Sequence, residues 1–249
     1  MCAYQRSDGM SKRIAAIIFA IAFLVIIVTG TILYFSSKPQ EIGTQQARSL
    51  STAAGCDSPV TFTYHFTDPS TITSIIPPVW KNNRHTITSA LLNTRGRVPI
   101  YMPTSGTLKQ GTYYSEQGAQ FYLWDIDVGC GVTVRFDHVT EPVEKIRALF
   151  LATPKEDART YPFETPLAME AGELIGYTTG TVNAHNWNIA VYDAAEKNYL
   201  WGTDQYPSKE YYTAVCPFKY DNPSMAQAYE KLFVLTSGDI SVEKNLCQQ

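Results

Sequence analysis

Charge is scarce in this sequence. Asp, Glu, Lys and Arg make up 17% of its 249 residues, and the net charge is −3. From Lys38 onward 17 basic residues stand against 22 acidic ones, a balance of −5 that repels a phosphate backbone and argues against nucleic-acid binding. No C-x-x-C pair is present, which sets aside thiolate zinc clusters and thioredoxin-like redox chemistry. No G-x-S-x-G is present either, so there is no nucleophile elbow, and Ser105 in T-S-G reads as a turn residue. The single G-x-G, Gly129-Cys130-Gly131, lies between two apolar stretches and reads as a turn, not as a dinucleotide loop. Glycine and proline, 15 and 14, stand near ordinary levels, which excludes collagen-like and low-complexity chains. Hydrophobic residues reach 45%, with 16 Tyr and 11 Phe, enough to bury a core.

Residues 14–35 carry neither charge nor proline over 22 positions. At a rise of about 1.5 Å per residue such a helix spans the roughly 30 Å hydrocarbon layer of a bilayer. A cleaved signal peptide has a shorter apolar region, about 7–15 residues, and a small-residue cleavage site. Tyr34, Phe35, Ser36, Ser37 and Lys38 offer no such site. Residues 14–36 are therefore expected to form an uncleaved transmembrane helix. Arg6, Lys12 and Arg13 precede it, so the positive-inside rule keeps residues 1–13 in the cytoplasm and places the rest outside the cell membrane. A start at Met10 instead of Met1 changes nothing downstream. Cys2 falls on the inner side. Cys56, Cys130, Cys216 and Cys247 fall on the outer side, where disulfides persist; two bonds are expected, with three pairings open.

Residues 37–55 are polar and aperiodic, a linker to an extracytoplasmic domain over residues 56–249. Val60, Phe62, Tyr64 and Phe66 alternate with Thr61, Thr63, His65 and Thr67, which predicts a strand. Further strands are expected over residues 98–102, 119–128, 131–139, 166–177 and 186–192. A short helix after Thr140-Glu141-Pro142 should bury Val143, Ile146 and Phe150. Asn222-Pro223 should open a helix over residues 224–235, with Ala228, Tyr229, Leu232 and Phe233 on one face. Asp125 and Asp127 alternate along one strand and are read as a solvated face. The domain is thus expected to be mainly β with a C-terminal helix.

Four phrases then come in order: V-P-I-Y-M-P-T-S-G-T-L from Val98, V-R-F-D-H-V from Val134, P-L-A-M-E-A-G-E-L-I-G-Y-T-T-G from Pro166 and N-W-N-I-A-V-Y-D from Asn186. Together they resemble the lysostaphin-type zinc endopeptidases, and more broadly the duplicated hybrid motif, over about residues 84–193. The resemblance implies a barrel-sandwich hybrid core. It also implies a zinc ion held by a His, an Asp four residues later, and the second His of an H-x-H pair. His85 falls on the first ligand, but Ser89 stands where the Asp belongs, and Asn186 and Asn188 stand on the H-x-H pair. Period two turns both amides to one face, opposite Trp187, Ile189 and Val191. Amides are poor zinc ligands beside imidazole and carboxylate. His138 matches the family's strand histidine, which assists catalysis without binding the metal; by residue pattern alone it is a partly buried His on the face of Val132, Val134 and Phe136. His185 precedes the amide pair by one residue, so it faces away from the pair or sits at the strand edge, and only a register slip would let it complete an H-x-H. The biotinyl-carrier branch of this fold needs a Lys at a hairpin tip, and residues 176–186 contain none.

These residues lead to an expectation of a membrane-anchored module on a catalytically degenerate peptidase-like fold, with no metal and no cofactor. Its expected partners are cell-wall glycan, a peptide or an envelope protein. Tyr113, Tyr114, Tyr192, Tyr199, Tyr206, Tyr211 and Tyr212 would serve as amphipathic recognition rings. The alternative is an active zinc-dependent cell-wall endopeptidase with a non-standard ligand set, which requires His85, His138 and His185 to converge.

Overall fold

The computed structural model describes residues 59–81, 86–202, 210–237, 240–242 and 244–248. All of them fall in Ser51–Gln249, one of two units into which the chain divides. The expected membrane helix and linker, Cys56, His85 and Tyr206 lie outside the described residues. Among the described residues no helix is long and apolar enough to cross a membrane.

In chain order the first strands are β1 (Ile72–Ile76), β2 (Trp80–Lys81), β3 (Thr86–Ile87), β4 (Ala90–Thr94), β5 (Val98–Tyr101), β6 (Gly106–Glu116) and β7 (Ala119–Asp127). They are followed by β8 (Val132–Val139), β9 (Glu141–Pro142), β10 (Tyr161–Met169), β11 (Leu174–Thr178) and β12 (Asn186–Asp193). Three short strands come last: β13 (Ala214–Val215), β14 (Thr236–Ser237) and β15 (Ile240–Ser241). The short helices are α1 (Glu144–Arg147), α2 (Glu210–Thr213) and α3 (Pro223–Glu230). The molecule is mainly β, as expected.

Three antiparallel sheets result. The largest has eight strands in the order β1-β4-β12-β8-β7-β6-β10, with β13 also paired to β12. A second runs β5-β11-β9 and a third β14-β15-β2-β3. The core lies on one face of the large sheet. Trp124, Phe136, Trp187, Ile189 and Val191 point into it and meet Ile100 and Ile175 of the second sheet. Phe62, Phe66, Phe218 and Tyr229 extend the same core. The third sheet packs on the other face, where Ile76, Trp80 and Leu91 form a small separate cluster with Ile87 and Ile240.

Several expected boundaries shift. Residues 60–67 alternate in hydropathy but form no strand; the region has a single bridge, Phe62 to Asp221. Its amides are drawn to separate acceptors, Phe62 N–H to the Tyr220 carbonyl and Thr63 and Tyr64 N–H to that of Pro103. Phe62 and Phe66 anchor in the core while Tyr64 between them is exposed. Pro142 does not open a helix. It lies in β9 opposite Gly176, and α1 begins only at Glu144, burying Ile146. The C-terminal helix is present but stops at Glu230, five residues early. Asn222 caps it by accepting from the Met225 N–H at 3.1 Å, with Pro223 at its first position.

One disulfide joins Cys216 to Cys247 and fixes the C-terminal segment to the turn after β13. Cys130 is also disulfide-bonded. The outer strand β10 carries Pro162 and Pro166 along an edge of the large sheet that pairs with no further strand among the described residues.

Candidate functional site

Strand β12 sits between β4 and β8, so its side chains meet those of both neighbours. Its alternation is as expected: Trp187, Ile189 and Val191 are buried in the core, and Asn186, Asn188, Ala190 and Tyr192 take the opposite face. That outer face is hollowed. A cleft of about 380 Å³ is bordered by Asn186, Asn188, His138, Glu116 and Leu91. A second hollow of about 240 Å³ adjoins it through Asn188, with Ser89, Asp137, Arg135 and Glu210 around it. A larger groove of about 490 Å³ lies elsewhere, beside Phe150, Tyr161 and Phe163. Among the described residues it has one buried, unpartnered polar atom, the Thr112 hydroxyl, whereas the outer-face cleft has two, His138 Nδ1 and Asn188 Oδ1.

His138 reaches this cleft through a break in the strand, which corrects its expected place among Val132, Val134 and Phe136. The pairing of β7 with β8 shifts between Tyr122 and Trp124, so that Asp137 and His138 together oppose one residue. His138 adopts φ +59°, and Val139, not His138, returns to the core. Its ring lies edge-on to Phe121, with centroids 5.0 Å apart, and Nε2 is 2.8 Å from Glu116 Oε2. Burial works to lower the His138 pKa, but Asp137 and the Glu116 hydrogen bond outweigh it and raise the pKa above its ordinary value. The same hydrogen bond lowers that of Glu116. Asp137 Oδ1 accepts from the Tyr114 hydroxyl and from the His138 N–H, both at 2.7 Å.

Arg135 centres a second network. Its guanidinium donates to both oxygens of Asp125, at 2.6 and 2.8 Å, and to both of Glu210, at 3.0 and 3.3 Å. It also donates to the Tyr192 hydroxyl at 3.3 Å. Asp125 additionally accepts from Gln110 at 2.6 Å. The Asp125 side chain is only 4% exposed, so the expectation of a solvated face fails there: a strand neighbour supplies the countercharge that lets the carboxylate be buried. Asp127 is partly exposed and pairs with Lys109.

Sequence reasoning missed Arg135, Glu116, Asp137 and Glu210. For Arg135 the signal was available. A hairpin folded symmetrically about Cys130 sets Asp125, five residues before it, against Arg135, five after, an opposite-charge cross-strand pair. Glu210 follows from no local pattern. Among the tyrosines expected on the recognition surface, Tyr114 and Tyr192 are instead committed to these networks, and Tyr113 stacks on Tyr122.

The ligand positions implied by the resemblance can now be placed. Asn186 Oδ1 accepts from the Thr181 hydroxyl at 2.8 Å, while Asn188 Oδ1 is buried and has no partner among the described residues. The turn before them depends on Gly180, at φ +69°, where an added Cβ would lie 2.4 Å from the Asn186 nitrogen. Ser89 borders the hollow near Asn188, but the residue directly across the ladder from Asn188 is Leu91. His185 is exposed in the turn and its carbonyl accepts from the Thr94 N–H at 3.0 Å. His85 lies outside the described residues. The described residues do not fit the implied zinc centre: two amides and a hydroxyl stand at its ligand positions, and although His138, Glu116 and Asp137 lie nearby, no group of three His, Cys, Asp or Glu among the described residues is placed to hold a metal. Comparison with family models, with curated proteins and with solved structures finds no match.

Proposed function

We propose that this chain is a membrane-anchored, extracytoplasmic binding module built on a catalytically degenerate lysostaphin-type fold. Residues 14–36 cross the membrane once, residues 1–13 remain in the cytoplasm, and the β-rich domain acts at the cell envelope on glycan, peptide or an envelope protein. The observation that carries this reading is the Asn188 amide. A buried acceptor without a donor costs about 1–3 kcal/mol, and Asn188 Oδ1 is such an acceptor on the border of an open cleft. The charged groups around it are already paired: His138 with Glu116, and Arg135 with Asp125. What the cleft leaves open is the Asn188 Oδ1 acceptor and the ring nitrogen Nδ1 of His138, which the N–H and C=O groups of a peptide or the hydroxyls of a sugar satisfy.

The test is titration of the detergent-solubilised full chain with soluble glycan–peptide fragments of cell wall, beside the Asn188→Leu variant. Binding by the parent chain that is lost in the variant at unchanged circular dichroism is the expected result; equal binding by both sinks the reading. Metal analysis of the same preparation separates it from the hydrolase alternative. Stoichiometric zinc that disappears on replacing His85 or His138 would show a ligand set the described residues do not display.

A further inference from the structure

We infer that the hollow beside Asn188 is a seat for the free carboxylate of a peptide, with Arg135 as its anchor and Glu210 as the internal group that occupies it. This rests on the binding-cleft reading above and names the ligand chemistry of that site.

The two carboxylates on Arg135 are not equivalent. Asp125 comes from the adjacent strand, is 4% exposed, and is held by Gln110 as well as by the guanidinium. It is part of the sheet. Glu210 comes from α2, a helix of four residues, and its side chain is 46% exposed. The guanidinium is therefore fixed along one edge by Asp125 and presents Nη1 and Nη2 together along another, the fork that matches a planar carboxylate. Glu210 shows that a carboxylate fits there.

The surroundings choose among anions. Asp125 and Asp137 stand on the same face, so a dianion such as a phosphate monoester meets more repulsion than a single carboxylate does. Asn188 adds direction. It faces Asp137 across the β8–β12 ladder while Arg135 faces Ala190, which makes Arg135 and Asn188 diagonal neighbours on one face. A carboxylate on Arg135 brings the N–H of the same terminal residue toward the unpartnered Asn188 Oδ1. The Tyr192 hydroxyl, already within reach of Nη1, lines the same seat. The hollow of about 240 Å³ accommodates one small residue behind the carboxylate. The ligand class is thus a peptide with a free C-terminal carboxylate and a small last residue, admitted when Glu210 swings away.

The experiment uses the full chain in detergent micelles and two probes, N-acetyl-alanyl-alanine and its C-terminal amide, measured by isothermal titration calorimetry. In Glu210→Gln the internal competitor loses its charge, so affinity for the acid should rise about tenfold or more over the parent chain while affinity for the amide stays level. Arg135→Gln should abolish the preference for the acid. Should that variant fail to fold, the acid-to-amide ratio in Glu210→Gln decides alone. Equal binding of acid and amide by Glu210→Gln, with both weakened by Asn188→Ala, overturns the carboxylate seat and leaves the cleft reading standing. No binding of either probe by Glu210→Gln also overturns it.

Discussion

The two faces of strands β7, β8 and β12 are made by the same alternation and behave as different materials. On the inner face Trp124, Phe136, Trp187, Ile189 and Val191 meet apolar neighbours, and what matters is volume. The indole N–H groups of Trp124 and Trp187 are buried there without a partner among the described residues, so that face tolerates an orphaned polar atom for the sake of ring size. On the outer face nearly every polar side chain has a named partner, and the geometry depends on a bulge, a hairpin register and a segment distant in sequence. The inner face is specified by composition. The outer face is specified by connections.

The largest expected effect lies on the inner face. Trp187 is fully buried and stacks on Phe136, with ring centroids 6.4 Å apart. Trp187→Ala should cost about 3–5 kcal/mol in urea unfolding. Trp187→Phe, which removes the orphaned N–H and less volume, should cost less than half as much. If the two variants proved equally damaging, volume would not be what the inner face requires.

An intermediate effect lies in the Arg135 network. Asp125→Leu should cost about 2–3 kcal/mol, below the usual penalty for breaking a buried pair because Glu210 still faces the guanidinium. The double variant Asp125→Leu/Arg135→Met should regain most of that loss, since no buried charge is then left alone. A double-mutant cycle showing simple additivity would mean the pair is not coupled.

The smallest effect is a pH dependence. The folded pKa of His138 is raised, so its contribution is full below the unfolded value near 6.5 and is lost as pH rises through the folded value. That of Glu116 is lowered, so its contribution holds above the ordinary value and is lost as pH falls through the folded one. The pair is complete only between those limits. His138→Gln should destabilise by about 1 kcal/mol at pH 6 and by little at pH 9; unfolding midpoints at the two pH values check this, and a constant difference would rule the ion pair out as its source.

The same division explains what the sequence revealed. Strand β12 and the β7–β8 hairpin were legible because alternation and the Gly-Cys-Gly turn are local signals, and both amides of β12 took the expected face. Strand β6 was not foreseen: its polar and glycine positions hide the alternation, and it is held by pairing to β7 along its whole length. Residues 60–67 show the reverse case, alternation without a strand, because their amides bond to chain far away in sequence. In the candidate site, the positions of Asn186 and Asn188 followed from period two. The emergence of His138 on the outer face depended on a register shift that no spacing announces, and Glu210 is brought in by tertiary packing.

The β10 edge of the large sheet has a further consequence. A strand from another molecule approaching β10 finds Pro162 and Pro166, which have no N–H to offer, among its first contacts. Open edges are where sheet proteins recruit one another into fibrils, and prolines interrupt the ladder that such growth needs. Copies of the chain at high concentration can therefore meet along this edge without zipping into a common sheet, and Pro162→Val with Pro166→Val should turn this quiet edge into a nucleus for aggregation.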